Sequence, residues 1–128
     1  MTQEEKQLLL IDLCARLPYG VKLLCANGEI VTLVNPPITI QDDCWNFKPY
    51  LRPMSSMTEE EKKIMISYGF ELIPYDTGYT GFANIENYID EVSFRFMEEF
   101  LNSHHFDYRG LIAMGLALEP KEGMYKNN

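Results

Sequence analysis

The apolar positions Leu9, Leu10, Leu13, Cys14 and Leu17 recur three and four residues apart, the spacing of one helix face. Thr2-Gln3-Glu4-Glu5 precedes them in the S/T-x-x-E order of a capping box. The pattern therefore predicts a helix over Gln3–Arg16, ended by Pro18-Tyr19-Gly20. The period then changes from helical to alternating. Val21 to Cys25 and Glu29 to Val34 are β-rich runs flanking Ala26-Asn27-Gly28, where Asn-Gly suits the positive φ angles of a type I′ hairpin turn. Pro36-Pro37 breaks the chain before Ile38-Thr39-Ile40, a candidate third strand. Alternation resumes from Trp45 to Arg52: Trp45, Phe47 and Leu51 point one way, and Asn46, Lys48, Tyr50 and Arg52 the other. Pro49 lacks an amide donor, which places this strand at a sheet edge.

Thr58 and Glu61 form a second capping box, opening a helix from Glu59 to about Tyr68 that stops near Gly69. Phe70 to Tyr75 reads as a short strand and Asp76 to Gly81 as a loop. The clearest helical period follows, from Ile85 to Leu101. Ile85, Tyr88, Ile89, Val92, Phe96, Phe100 and Leu101 share one face, opposite a face of mostly acidic residues. A shorter helix is expected from Asp107 as N-cap to Gly115 as the left-handed residue past its end. Helix, antiparallel strands, then helices is the order of an α+β fold. We expect a small antiparallel sheet of about three to five strands, packed with an N-terminal helix and C-terminal helices in one domain over residues 1–128.

Composition narrows the class of partner more than the fold. Hydrophobic residues make up 46% and charged residues 23% of 128 positions, which suits a globular chain with a modest core. The formal charge is −8, and of 19 acidic residues most lie after Met57, so the field of the C-terminal half repels phosphate backbones. Cys14, Cys25 and Cys44 stand apart in odd number, without C-x-x-C, as buried free thiols of a reducing compartment would. The N-terminus has no basic, apolar leader, and a cytoplasmic location without membrane attachment is expected.

The densest polar cluster is His104-His105-Phe106-Asp107-Tyr108-Arg109. Two histidines and a carboxylate are the residue types of a metal site or of a general base with its orienting acid. Adjacent histidines diverge on a helix, however, and no H-E-x-x-H or cysteine partner completes a ligand set. Helix-end roles explain the same residues: imidazolium at the negative end of the long helix, and Asp107 as a cap. Two binding surfaces also suggest themselves. One is the aromatic segment with Lys48, Tyr50 and Arg52, joined for a polyanion by Lys22 and Lys62; the other is the loop with Tyr75, Asp76 and Tyr79, whose tyrosines and glycines suit adaptable recognition. No phosphate loop, nucleophile elbow or dinucleotide fingerprint is present, and no cofactor is expected.

Three stretches carry a resemblance: Thr2 to Lys6 with Leu13 to Val21, Lys48 to Glu60, and Leu101 to Ile112 with Gly115 to Glu119. Together they resemble a family of small proteins, without an assigned activity, from gut anaerobes and their phages. The stretch from Leu23 to Cys44 lies outside it. The resemblance implies a phage or mobile-element setting and carries over no catalytic residue. The leading expectation is a non-enzymatic accessory domain that binds a protein partner, with homo-oligomerisation open. The alternatives are a small enzyme or metal-binding protein using His104, His105, Asp107 and Arg109, and an acidic DNA mimic or weak nucleic-acid-binding module. The candidate surface is Tyr50, Arg52, Tyr75, Asp76, Tyr79, His104, His105, Asp107 and Arg109.

Overall fold

A computed structural model describes residues 2–34, 47–74, 80–84 and 91–125. The fold is α+β, with a three-stranded antiparallel sheet, an N-terminal helix and helices from the C-terminal half. Helix α1, Gln3–Arg16, begins at the predicted capping box: the Glu5 amide donates to Thr2 Oγ1 at 3.1 Å, and the Thr2 amide to Glu5 Oε1 at 2.8 Å. Its buried face keeps Leu9 and Leu13 of the predicted apolar stripe and adds Asp12 and Arg16, while Leu17 packs partly buried against the core. Cys14 is exposed and Cys25 partly buried, which corrects the expectation of buried thiols; Cys44 lies outside the described residues. A polar pair holds inner positions because Asp12 and Arg16 satisfy each other one turn apart.

The hairpin of β1, Lys22–Leu24, and β2, Ile30–Thr32, forms as predicted, with Leu23 opposite Val31. Its turn differs in type. Only Gly28 has a positive φ, 88°, and its amide donates to the Cys25 carbonyl, so a three-residue loop with one left-handed residue replaces the type I′ turn. Strand β3, Lys48–Pro49, pairs antiparallel with β1 and gives the order β2-β1-β3. Pro49 therefore does sit on an edge strand. Phe47 and Leu51 are buried and Lys48 exposed, as the alternation predicts, but Tyr50 is only 3% exposed. The strand ends at Pro49, and Leu118 and Tyr125 lie against Tyr50, covering a residue expected on the outer face. Ile38-Thr39-Ile40, Trp45 and Asn46 lie outside the described residues.

Helix α2, Glu59–Ser67, starts at the second capping box, and Gly69 follows it with φ 88°. Strands β4, Phe70–Pro74, and β5, Thr80–Asn84, pair as a two-stranded hairpin. Thr80 and Gly81, expected in the loop, belong to β5 because the ladder extends to Pro74 opposite Thr80. Helix α3, Glu91–Ser103, covers the described part of the long predicted helix; residues 85–90 are not described. Met97, Phe100 and Leu101 form its buried face, whereas Phe96, expected inside, is 49% exposed on the flank and stacks on Tyr68. No helix forms over 107–115. Gly110, at φ 76°, breaks the helical run three residues after Asp107, leaving a series of turns that Gly115, also at φ 76°, closes.

Two apolar cores result. One gathers α1 and the three-stranded sheet with Leu111, Leu116 and Ala117; the other gathers Met54, Met57, Met65, Phe70, Met97, Phe100, Leu101 and Phe106. Among the described residues, no helix is long and apolar enough to cross a membrane.

Candidate functional site

The polar cluster at the end of α3 is a structural joint. Leu101 to Phe106 form a Schellman motif: the Phe106 amide donates to the Leu101 carbonyl at 2.9 Å, and the His105 amide to the Asn102 carbonyl at 3.1 Å. His105 takes the left-handed position usually held by glycine, at φ 64°, and is the one non-glycine residue with positive φ among those described. Its ring stacks on Tyr125 at 3.8 Å, and its buried Nδ1 has no hydrogen-bond partner. Burial, with Arg16 and then His104, Arg52 and Lys22 nearby, pushes the imidazole pKa down to about 4. The imidazolium expected at this helix end is therefore corrected for His105, because desolvation and surrounding cations outweigh the helix terminus. His104 lies on another side, its Nδ1 3.0 Å from the Phe100 carbonyl and its ring against Phe100.

Asp107 accepts the Leu111 amide at 2.8 Å and the Ile112 amide at 2.9 Å, so it caps the turns that follow. Burial raises its pKa against the lowering effect of those amides. Arg109 donates to Asp12 Oδ1 at 2.7 Å and lies over the Tyr108 ring. Arg16, fully buried, grips Asp12 through Nε at 2.8 Å and Nη2 at 3.0 Å, and also donates to the Phe106 carbonyl. This network fastens α1 to the segment after α3, at the seam of the two cores. The structure brings none of His104, His105, Asp107 and Arg109 together as a nucleophile and base. Among the described residues, no group of three His, Cys, Asp or Glu could hold a metal ion.

Arg52 is likewise engaged. Its two terminal nitrogens each reach a Glu61 carboxylate oxygen at 2.8 Å, and its guanidinium lies 4.1 Å from the Phe106 ring centre. Burial raises the Glu61 pKa, but Arg52 and the Thr58 amide outweigh it and leave the carboxyl below its usual range. Lys62 pairs with Glu59, and Lys22 Nζ donates to Thr32 Oγ1, so these two of the basic residues proposed as a polyanion surface are also engaged within the chain. A cleft of about 370 Å³ opens beside Arg52, Pro53, Ser55, Lys121, Met124 and Tyr125. Two of its polar groups are held elsewhere, Arg52 by Glu61 and the Tyr125 hydroxyl by the sheet. Tyr75, Asp76 and Tyr79 lie outside the described residues.

Among the described residues, one sheet edge stays without a partner. In the β1–β2 ladder the Leu33 amide donates to the Val21 carbonyl and the Cys25 amide to the Glu29 carbonyl. Hydrogen-bonding residues alternate along a strand, so Leu33, Val31 and Glu29 face β1, and the amides and carbonyls of Ile30 and Thr32 face outward. Among the described residues, nothing pairs with that edge. Ile30 and Val31 are each 39% exposed and Val34 is 72% exposed. The sequence signal was available: residues 30–34, Ile-Val-Thr-Leu-Val, are β-rich and uncharged, lacking the lysine or proline that commonly protects an open edge. Comparisons with protein-family models, curated proteins and solved structures returned no match.

Proposed function

We propose that this chain is a non-enzymatic accessory domain that works by taking up a polypeptide strand along β2. The observation that carries it is the outward row of amides and carbonyls at Ile30 and Thr32 that no described residue pairs, flanked by exposed Ile30, Val31 and Val34. Strand addition gains main-chain hydrogen bonds from such an edge and specificity from alternate side chains. The polar residues that resemble catalytic groups support the same reading, since their bonds go to backbone caps and buried ion pairs. The phage or mobile-element setting implied by the resemblance belongs to this proposal as its context.

The test is a capture experiment from bacterial lysate with tagged wild type and Thr32→Lys. A partner recovered by the wild type and lost by the variant is the expected result. Equal recovery by the two proteins overturns the reading. So does an empty capture combined with turnover of a substrate by the purified chain.

A further inference from the structure

From the polar atoms that the joint after α3 leaves without partners, we infer a buried site for one water molecule, shared by Arg16 Nη1, His105 Nδ1 and the Phe106 carbonyl. Among the described residues, two buried side-chain atoms have no hydrogen-bond partner in the chain, and they are Arg16 Nη1 and His105 Nδ1. Both belong to this joint. Buried polar groups nearly always bond to protein or to ordered water, so two orphans in one place point to a shared third party.

The planar guanidinium fixes where Nη1 lies. Asp12 takes the Nε and Nη2 side of the fork, at 2.8 and 3.0 Å. Nη2 gives its other hydrogen to the Phe106 carbonyl, which therefore sits at the end of the fork that Nη2 shares with Nη1. His105 is the residue just before that carbonyl, and Arg16 is the foremost of the charges that act on its imidazole. Arg16 also acts on Tyr125, whose ring stacks on His105 at 3.8 Å.

Donors and acceptors then complement one another. Nη1 can only donate. His105 Nε2 has no bond within the chain and is not among the buried atoms, so it meets solvent and carries the ring proton there. Nδ1 is left with a lone pair, the form that a nearby guanidinium favours. The Phe106 carbonyl keeps a second lone pair beside the one that Nη2 uses. A water that accepts from Nη1 and donates to Nδ1 and to this carbonyl makes three hydrogen bonds, about the usual number for an internal water. An anion fits worse, because it can only accept and two of the three groups are acceptors. A metal ion would meet the guanidinium charge. Through its three bonds the water ties α1 to the turn after α3 and, by the His105–Tyr125 stack, to the C-terminal segment that covers β3. The site is independent of the β2 edge.

The test pairs a crystal structure of the full chain, at a resolution that shows ordered water, with long-range proton–nitrogen correlation of the histidine rings in solution at neutral pH. We expect one density peak within hydrogen-bond distance of Arg16 Nη1, His105 Nδ1 and the Phe106 oxygen. His105 should be the Nε2–H tautomer, its Nδ1 resonance moved part of the way toward that of a protonated nitrogen by the bond it accepts. No peak there overturns the site, as does a peak that misses any of the three groups or a direct bond from Nη1 to another protein atom. Anomalous signal at the peak after a bromide soak identifies an anion and overturns the water. The Nδ1–H tautomer also overturns it, since Nδ1 would then be a donor.

Discussion

The two outer strands of one small sheet end in opposite ways. On β3, Leu118 takes the outward carbonyl of Pro49 and the outward amide of Leu51, and the backbone at Arg52 pairs with His105 and Asp107. Tyr125 adds a bolt from the same side. Its hydroxyl accepts the Lys22 amide at 2.8 Å and donates to the Tyr50 carbonyl at 2.7 Å, filling the ladder where β1 and β3 part. On β2, the equivalent groups at Ile30 and Thr32 have no such cover among the described residues. The contrast is between an edge that the C-terminal segment covers and an edge that no described residue covers.

The largest effect should come from loosening the closed side at its root. Asp12→Ala leaves Arg16 buried without a carboxylate, and Arg16 is what ties α1 to the Phe106 carbonyl next to the Arg52 pairing. We expect a loss of about 3–5 kcal/mol in urea denaturation, because an uncompensated buried charge remains. Tyr125→Phe keeps the ring on His105 and removes the bolt. A loss of about 1–3 kcal/mol is expected from the two backbone groups it unpairs, with faster exchange at the Leu51 amide.

The His105–Tyr125 stack on the closed side should also respond to pH. His105 titrates near 4 in the folded chain, below its ordinary value of 6.5, so the unfolded state binds the extra proton between those values. Its contribution to stability is complete above pH 6.5 and is lost as pH falls toward 4. His105→Asn, which tolerates the left-handed backbone, should flatten that part of a pH series of denaturation midpoints relative to wild type. An unchanged slope would refute the assignment. The smallest effect belongs to the open side: Thr32→Lys, on an exposed strand, should alter monomer stability by no more than about 0.5 kcal/mol.

Both capping boxes, the hairpin and the edge position of Pro49 were legible because each depends on neighbours in sequence. The inner places of Asp12 and Arg16 were not, since their partners include the Phe106 carbonyl and Arg109, about ninety residues away. Tyr50 was misplaced for the same reason: alternation assigns a side, but it cannot show that residues 118–125 will cover that side. The helix expected from Asp107 had correct signals at both ends and failed inside, at Gly110. His104, His105, Asp107 and Arg109 were recognisable as a cluster, and the helix-end reading held for Asp107 as a cap. The open edge was not legible, because an uncharged run reads as core until the strand order shows that no described strand lies beside it.

Residue-resolved amide hydrogen exchange in dilute protein tests the difference between the two edges most directly. The account predicts slow exchange at Leu51 and Leu118 and at the inward-facing Leu33. It predicts fast exchange at Ile30 and Thr32. Ile30 and Thr32 amides as protected as Leu51 at the lowest concentration would contradict an open β2 edge.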